Sequence, residues 1–358
     1  MTLFSKYKLG NIELNNRIVM APMTRSRAIG NIPNDLMATY YAQRATAGLL
    51  ISEGVSPSPN GLGYSRIPGI FSQEQVSGWK KVTEAVHEKG GKIFIQLMHT
   101  GRVGHPNNLP EGAEILGPSS IGLTGQMYTD QEGMQSFPVP REMTPEDIEH
   151  AQQEYVQASV NAIEAGFDGV ELHGANGYLI CQFLNTASNQ RNDQYGGSAD
   201  NRNRFALETA KRVVDAIGAE RTAIRISPYG VSNEMDIFDG MEDQYEQLVM
   251  GFHDLNLAYV HIVDHSSMGA PEVPERMKAK IRKAFKNTLI ISGGYNKEKA
   301  EDDLQSGKGD LVAFGKPFIS NPDLVLRMEK DLPLTPFNTE TFYTPGEKGY
   351  TDYPFAAR

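Results

Sequence analysis

The densest chemistry in this chain lies between Gly169 and Ser198, GVELHGANGYLICQFLNTASNQRNDQYGGS. A short run, Gly169 to Leu172, reads as a buried strand, and His173, Asn176 and Tyr178 follow at its end. An imidazole and a carboxamide can donate to one oxygen, and a phenol two residues further on can deliver a proton beside it. That is equipment for reducing a polarised double bond. Singly, a satisfied core histidine, a turn asparagine and a packing tyrosine would be the simpler explanations. Together at one strand end they point to a site.

Residues at a single strand end need a scaffold that brings other strand ends to meet them. Phe4 to Asn15 reads as a hairpin around Leu9-Gly10-Asn11, and strand-like and helix-like segments then alternate. The strands are expected at 17–23, 49–55, 92–99, 169–172, 222–227, 258–264, 288–292 and 310–315. Helices are expected at 35–47, 73–89, from Thr144 to Gly166, at 201–217, 242–255, 275–286, 297–306 and from about Pro322. The second of these repeats Val76, Trp79, Val82 and Val86 at helical spacing, and the third opens Thr-Pro-Glu-Asp, a cap with proline at the first helical position. Eight strand–helix pairs predict a closed (β/α)8 TIM barrel forming a single domain over residues 1–358. A doubly wound sheet is the runner-up, but no glycine fingerprint follows the first strand. Residues 99–142, rich in Gly, Pro, Ser and Thr, interrupt the rhythm and read as a lid over the substrate, with turns at Gly122, Gly125 and Gly133.

Composition sets the outer limits. With 39% hydrophobic residues among 358 there is material for one large core, and a net charge of −10 argues against nucleic acid as a partner. No stretch approaches the roughly 18 apolar residues of a membrane span, and the first residues lack a signal-peptide segment. A cytoplasmic protein, monomeric or a small homo-oligomer, is expected. The lone Cys181 excludes an intramolecular disulfide and a cysteine-ligated iron–sulfur cluster.

In a barrel the C-terminal strand ends converge. They supply Pro22, Met23 and Thr24; Glu53 and Gly54; Gln96; His173, Asn176 and Tyr178; Arg225; Gly293 and Gly294; Gly315 and Lys316. Gly293-Gly294 and Gly315-Lys316 follow consecutive strands, where backbone N–H groups can close on phosphate oxygens. The stretch HGANGYLICQFLNTASNQRNDQYGGSADNR resembles the signature of the old yellow enzyme family, the FMN-dependent ene-reductases, in its His-x-x-Asn-x-Tyr variant. The similarity runs from RIVMAPMTRSRA to the terminal GYTDYP, and is nearest the N-ethylmaleimide and xenobiotic reductase branch.

The resemblance implies tightly but non-covalently bound FMN, NAD(P)H as reductant and small activated alkenes as substrates. It assigns Thr24 to flavin O4, Gln96 and Arg225 to the pyrimidine edge, Gly54 to a position close to it, and Pro22, Met23, Gly293, Gly294, Gly315 and Lys316 to the rest of the cofactor. Lys316 stands where the family has arginine. His173 and Asn176 match the pair that grips the substrate oxygen, and Tyr178 the proton donor. Tyr64, Met98 and Tyr343 resemble pocket-lining residues, with Met98 replacing a frequent tryptophan, and the tail 332–358 is expected over the barrel mouth.

Two rivals come from other classes. His99, His105, His173, His261 and His265 could serve a metal-dependent barrel hydrolase, although strand one carries no ligand for it. A flavin-binding barrel without turnover is the other. Tyr178 argues against that one, because a passive binder has no use for a phenol beside two oxygen-gripping donors.

Overall fold

The computed structural model describes residues 1–356; Ala357 and Arg358, the last two residues of the expected tail, lie outside the described residues. Eight parallel strands close on themselves: β1 (Ile18–Met20), β2 (Leu49–Val55), β3 (Ile93–Leu97), β4 (Gly169–Gly174), β5 (Thr222–Ile226), β6 (Tyr259–Ile262), β7 (Thr288–Ser292) and β8 (Leu311–Phe314). The ring is completed where β8 pairs with β1 through Val312 opposite Ile18. Each expected strand is present; β2 and β7 have the expected bounds, β4 runs two residues further to Gly174, and the others are shortened at their ends where the chain leaves the ladder.

Period-two alternation decides what each strand presents to the interior. Val170, Leu172, Ile224, Ile226, Val260 and Ile262 face outward into the large core beneath the helices. Phe94, Ala223, Tyr259, Ile290 and Leu311 face inward and fill the lower barrel, where Leu9 and Leu14 of the N-terminal hairpin (Tyr7–Leu9 with Ile12–Leu14) plug the base. The same inward parity puts Gln96, Glu171, Arg225 and His261 in the next layer and His173 above them. β2 departs from regular pairing between Ile51 and Gly54, and the Gln96 N–H is satisfied there by Ser52 Oγ at 3.0 Å. Such bulges re-aim side chains near sites.

The helices follow from caps and periodicity. Gln73–His87 and Pro145–Glu164 both begin with capping boxes, from Ser72 and Thr144, and Val76, Trp79, Val82 and Val86 are fully buried. The one missed helix in the site region is Leu179–Leu184, directly after the His-Asn-Tyr cluster. After β8 the chain forms two short helices, Lys316–Ser320 and Leu324–Glu329, instead of one from Pro322. The 99–142 excursion holds a hairpin, Gln126–Thr129 with Gly133–Ser136, and a small parallel pair, Leu116–Gly117 with Arg141–Glu142. Gly125 and Gly133 have the expected positive φ, whereas Gly122 does not.

The tail is held over the mouth by buried arginines together with an aromatic stack. Arg27 Nη1 donates to Phe342 O at 2.6 Å and Nη2 to Thr341 O at 2.8 Å and Lys348 O at 3.1 Å; Arg25 Nη2 donates to Gly349 O at 2.7 Å. Arg44 donates to Phe318 O and Ile319 O, both at 2.8 Å, and Tyr40 stacks on Tyr350 with ring centroids 4.0 Å apart. Burial, followed by the neighbouring Arg25, pushes the Arg27 pKa down to about 10, so the guanidinium is still charged at neutral pH. Removing a guanidinium that satisfies several carbonyls strands those acceptors away from water. Arg27→Ala should therefore lower unfolding free energy by about 1–3 kcal/mol and open 341–350 to limited proteolysis. An unchanged melt and an uncut tail would show that the tail is held by other means.

Candidate active site

The strand ends open on two adjoining cavities. The first, of about 520 Å3, is lined by Pro22, Met23, Thr24, Asn176, Arg225, Gly293, Gly294, Gly315 and Lys316. The second, of about 850 Å3, is lined by Tyr64, Arg66, Tyr128, Tyr178, Asn233 and Thr344 among others. Thr24 and Tyr343 belong to both walls. The excursion contributes Tyr128 and Phe137 to the second cavity, and the tail contributes Phe337, Phe342 and Tyr343 to the first. Both segments therefore roof the site.

Four expected residues, Gly54, Gln96, Met98 and His173, stand behind these walls, and all are buried. The open side of Gly54 is taken by Met98: a Cβ there would lie 2.5 Å from the Met98 sulfur. Met98 packs with Leu62 and Ile67 beneath Tyr64 and Tyr178, so it supports the tyrosines from below. Neither residue reaches the cavity edge as the family pattern implied. The bulge in β2 together with the flexible thioether accounts for the difference.

His173 is held in one protonation state and one tautomer. The Ala175 N–H donates to Nδ1 at 3.3 Å, which leaves the proton on Nε2. Burial, reinforced by Arg225, holds its pKa well below the ordinary histidine value, so the ring is neutral. Asn176 adopts φ 59°, a conformation asparagine tolerates better than most residues. It is held there by its N–H donating to Ser227 Oγ at 2.9 Å and by Asn233 Nδ2 donating to its carbonyl at 2.7 Å. Its carboxamide oxygen is buried without a protein partner. Tyr178 Oη lies 3.0 Å from Tyr64 Oη, and its ring meets that of His173 edge-on at 5.0 Å. Burial, then Tyr64, raises the Tyr178 pKa well above 10, so the phenol keeps its proton.

Below this cluster the inward layer is ionic. Gln96 Nε2 donates to Glu171 Oε1 at 2.7 Å, and Glu171 Oε2 lies 2.9 Å from His261 Nδ1. Arg225 stands beside them in register with His173 and His261, and its Nε is buried with no protein partner. At the other end of the first cavity Gly293 and Gly294 have φ of 134° and 61°, and a Cβ on Gly293 would lie 2.8 Å from Asp264 Cβ. Only glycine lets this turn close on the Asp264–Ser267 loop. An unpartnered arginine nitrogen, neutral polar groups and a glycine-lined end with Lys316 suit the ring edge and phosphate of a flavin mononucleotide.

Residues 2–335 match the family model described as "NADH:flavin oxidoreductase / NADH oxidase family". The chain belongs to this family. It is 43% identical over 373 residues to 12-oxophytodienoate reductase 7 of Oryza sativa subsp. japonica, across 99% of this chain and 94% of that protein. Morphinone reductase in complex with tetrahydroNAD superposes with a TM-score of 0.95 at 40% identity, covering 100% of this chain and 98% of that one. An old yellow enzyme homologue from Zymomonas mobilis gives 0.93 at 40% identity, covering 99% of each. Within the family this protein is of the old yellow enzyme type: an oxidoreductase with FMN as cofactor and NAD(P)H as reductant. That membership displaces the hydrolase alternative.

Sequence reasoning missed Glu171, Asp264, Ser267 and Phe337, and considered His265 only as a metal ligand of the rival hydrolase. Glu171 was detectable as the one carboxylate inside an otherwise apolar strand run, two residues before His173 and so on its side of the strand. The others sit in loops where no periodicity marks them. Since His173 is neutral with Nδ1 accepting, its ring ¹⁵N shifts should show the Nε2–H tautomer, unchanged between about pH 5 and 8. An imidazolium signature appearing in that window would remove it as a neutral donor.

Proposed function

We propose that the two cavities form one continuous site in which the protein reduces the activated C=C bond of an α,β-unsaturated carbonyl, imide or nitroalkene. Pro22, Met23, Thr24, Arg225, Gly293, Gly294, Gly315 and Lys316 border the cofactor, with Gly54 and Gln96 in the layer behind them. Tyr64, Met98 and Tyr343 shape the substrate side. FMN held by these residues would supply the hydride chemistry, with NAD(P)H as reductant and the activated alkene as acceptor.

The remaining work is done by side chains. His173 Nε2–H and the Asn176 carboxamide donate to the carbonyl or nitro oxygen, stabilising the charge that develops there. Asn176 lines the first cavity from its left-handed backbone position, and with Nδ1 occupied as an acceptor the neutral imidazole presents its one N–H at Nε2. Tyr178 gives its Oη proton to the α-carbon. Tyr64 is then the donor in the tyrosine pair, and this leaves the Tyr178 hydrogen directed at substrate. The observation that carries the reading is a phenol held in its protonated form edge-on against a histidine fixed as an Nε2 donor, with Asn176 on the wall of the adjoining cavity.

The partners in this reading are small molecules. A net charge of −10 gives no attraction for nucleic acid, and among the described residues no helix is long and apolar enough to cross a membrane. We place the protein in the cytoplasm as a monomer or small homo-oligomer.

Tyr178→Phe tests the assignment by separating the half-reactions. Bleaching of the bound flavin by NAD(P)H should persist, whereas reoxidation by an enone should slow by about 10²–10⁴, the usual worth of a positioned general acid. Quinones, which need no protonation at carbon, should reoxidise the variant normally. Equal losses in both half-reactions would give the tyrosine another role.

A further inference from the structure

Glu171 has no part in the chemistry above, yet it sits at the centre of the barrel. It is fully buried, its strand neighbours in register are Gln96 on one side and Ala223 on the other, and both of its oxygens are engaged. A buried carboxylate without compensation costs several kcal/mol. The compensating groups are Arg225, also buried, and the His261 ring, whose Nδ1 lies 2.9 Å from Oε2. The His261 Nε2 and Arg225 Nε have no protein partner, so this ionic layer is closed on the Glu171 side and open on the other.

Two consequences follow from bond valence and charge. A carboxamide has two N–H bonds and one oxygen. With one Gln96 N–H committed to Glu171, the amide cannot flip without setting its oxygen against the carboxylate. Its orientation is thereby determined. The second consequence concerns Arg225: one unit of negative charge beside it offsets the field it exerts on anything in the first cavity.

We propose that Glu171 is a positioning residue for the cofactor, orienting the Gln96 carboxamide and tempering Arg225, so that it keeps the reduction potential of the bound flavin low. The inference rests on the reading of the first cavity as the flavin site. Its test compares variants that all carry FMN, so a parent protein that binds no flavin would instead refute the underlying reading. The carboxylate pKa agrees with an anion here: despite burial, which would raise it, His261 and Arg225 hold it below the ordinary glutamate value.

The decisive measurement is the midpoint potential of Glu171→Gln against the parent, by equilibration with a reference dye. The variant keeps the shape and can still offer one oxygen to the Gln96 N–H, with its NH2 facing His261 Nδ1, but it loses the charge, so the potential should shift positive, because a reduced, anionic flavin gains from an untempered arginine. General loosening of the site would weaken FMN binding without favouring the reduced form. No shift, or a negative one, overturns the proposal. Glu171→Asp provides a second arm should the glutamine variant fail to fold. It retains the charge but is one methylene too short to reach Gln96, so FMN should dissociate about tenfold faster, the equivalent of one lost charge-assisted hydrogen bond, with the potential close to that of the parent. Unchanged FMN release from the aspartate variant would likewise overturn the positioning role.

Discussion

The site depends on a charge buried in the barrel interior. Glu171 cannot exist as an anion there without Arg225 and the hydrogen bonds from Gln96 and His261, and Arg225 cannot be buried at that depth without Glu171. Breaking one member leaves the others uncompensated, which makes the layer rigid. It also separates the lower barrel, packed with Phe94, Tyr259 and Ile290 over the hairpin plug, from the upper end where chemistry is possible. His173 stands directly above this layer. The positive charge of Arg225 is one reason its ring stays neutral, so the ionic layer helps to set the protonation state of that imidazole.

The roof is built on the opposite principle. Arg25, Arg27 and Arg44 are buried against main-chain carbonyls and tyrosine faces, with Glu53 as the nearest acid. Burial raises the Glu53 carboxyl to about 7, against the pull of the Arg25 backbone N–H and side chain, so it is only a partial counterion near neutrality. Carbonyl dipoles therefore carry much of the compensation, and they come from 341–350, the segment bearing Phe342 and Tyr343. The carbonyls that compensate the buried cations thus belong to the same segment that walls the first cavity. Arg66 adds a third connection, pairing with Asp130 of the excursion hairpin while donating to Tyr343 O at 3.0 Å and Ser26 O at 3.2 Å. Excursion, tail and the loop after β1 meet at that one guanidinium.

The order of elements was legible because each carries a local signal. Strand parity is written in Val-x-Leu and Ile-x-Ile alternation, helix starts in Ser72 and Thr144, and the stop of the third helix in Gly166, whose φ of 90° suits glycine. The His-Asn-Tyr cluster was legible for a related reason: its members are close in sequence and sit at a strand end, where polar residues are not needed for packing. Helix Leu179–Leu184 was not, since it is fully buried and its apolar run has no polar face to mark a period.

What the sequence determined by itself was the barrel, its strand order and the identity of the groups able to do chemistry, because these depend on contacts of short range along the chain. What tertiary structure alone decided was the relation between groups far apart. It put Met98 under Tyr64 and Tyr178 instead of at the cavity edge, turned the Gln96 amide onto Glu171, and made the tail part of the wall of the first cavity. Those outcomes depend on a bulge in one strand, on the register between neighbouring strands and on the need of buried arginines for carbonyl partners. None has a signature within a sequence window, because each is settled by which distant atom arrives to satisfy a buried charge or fill a gap.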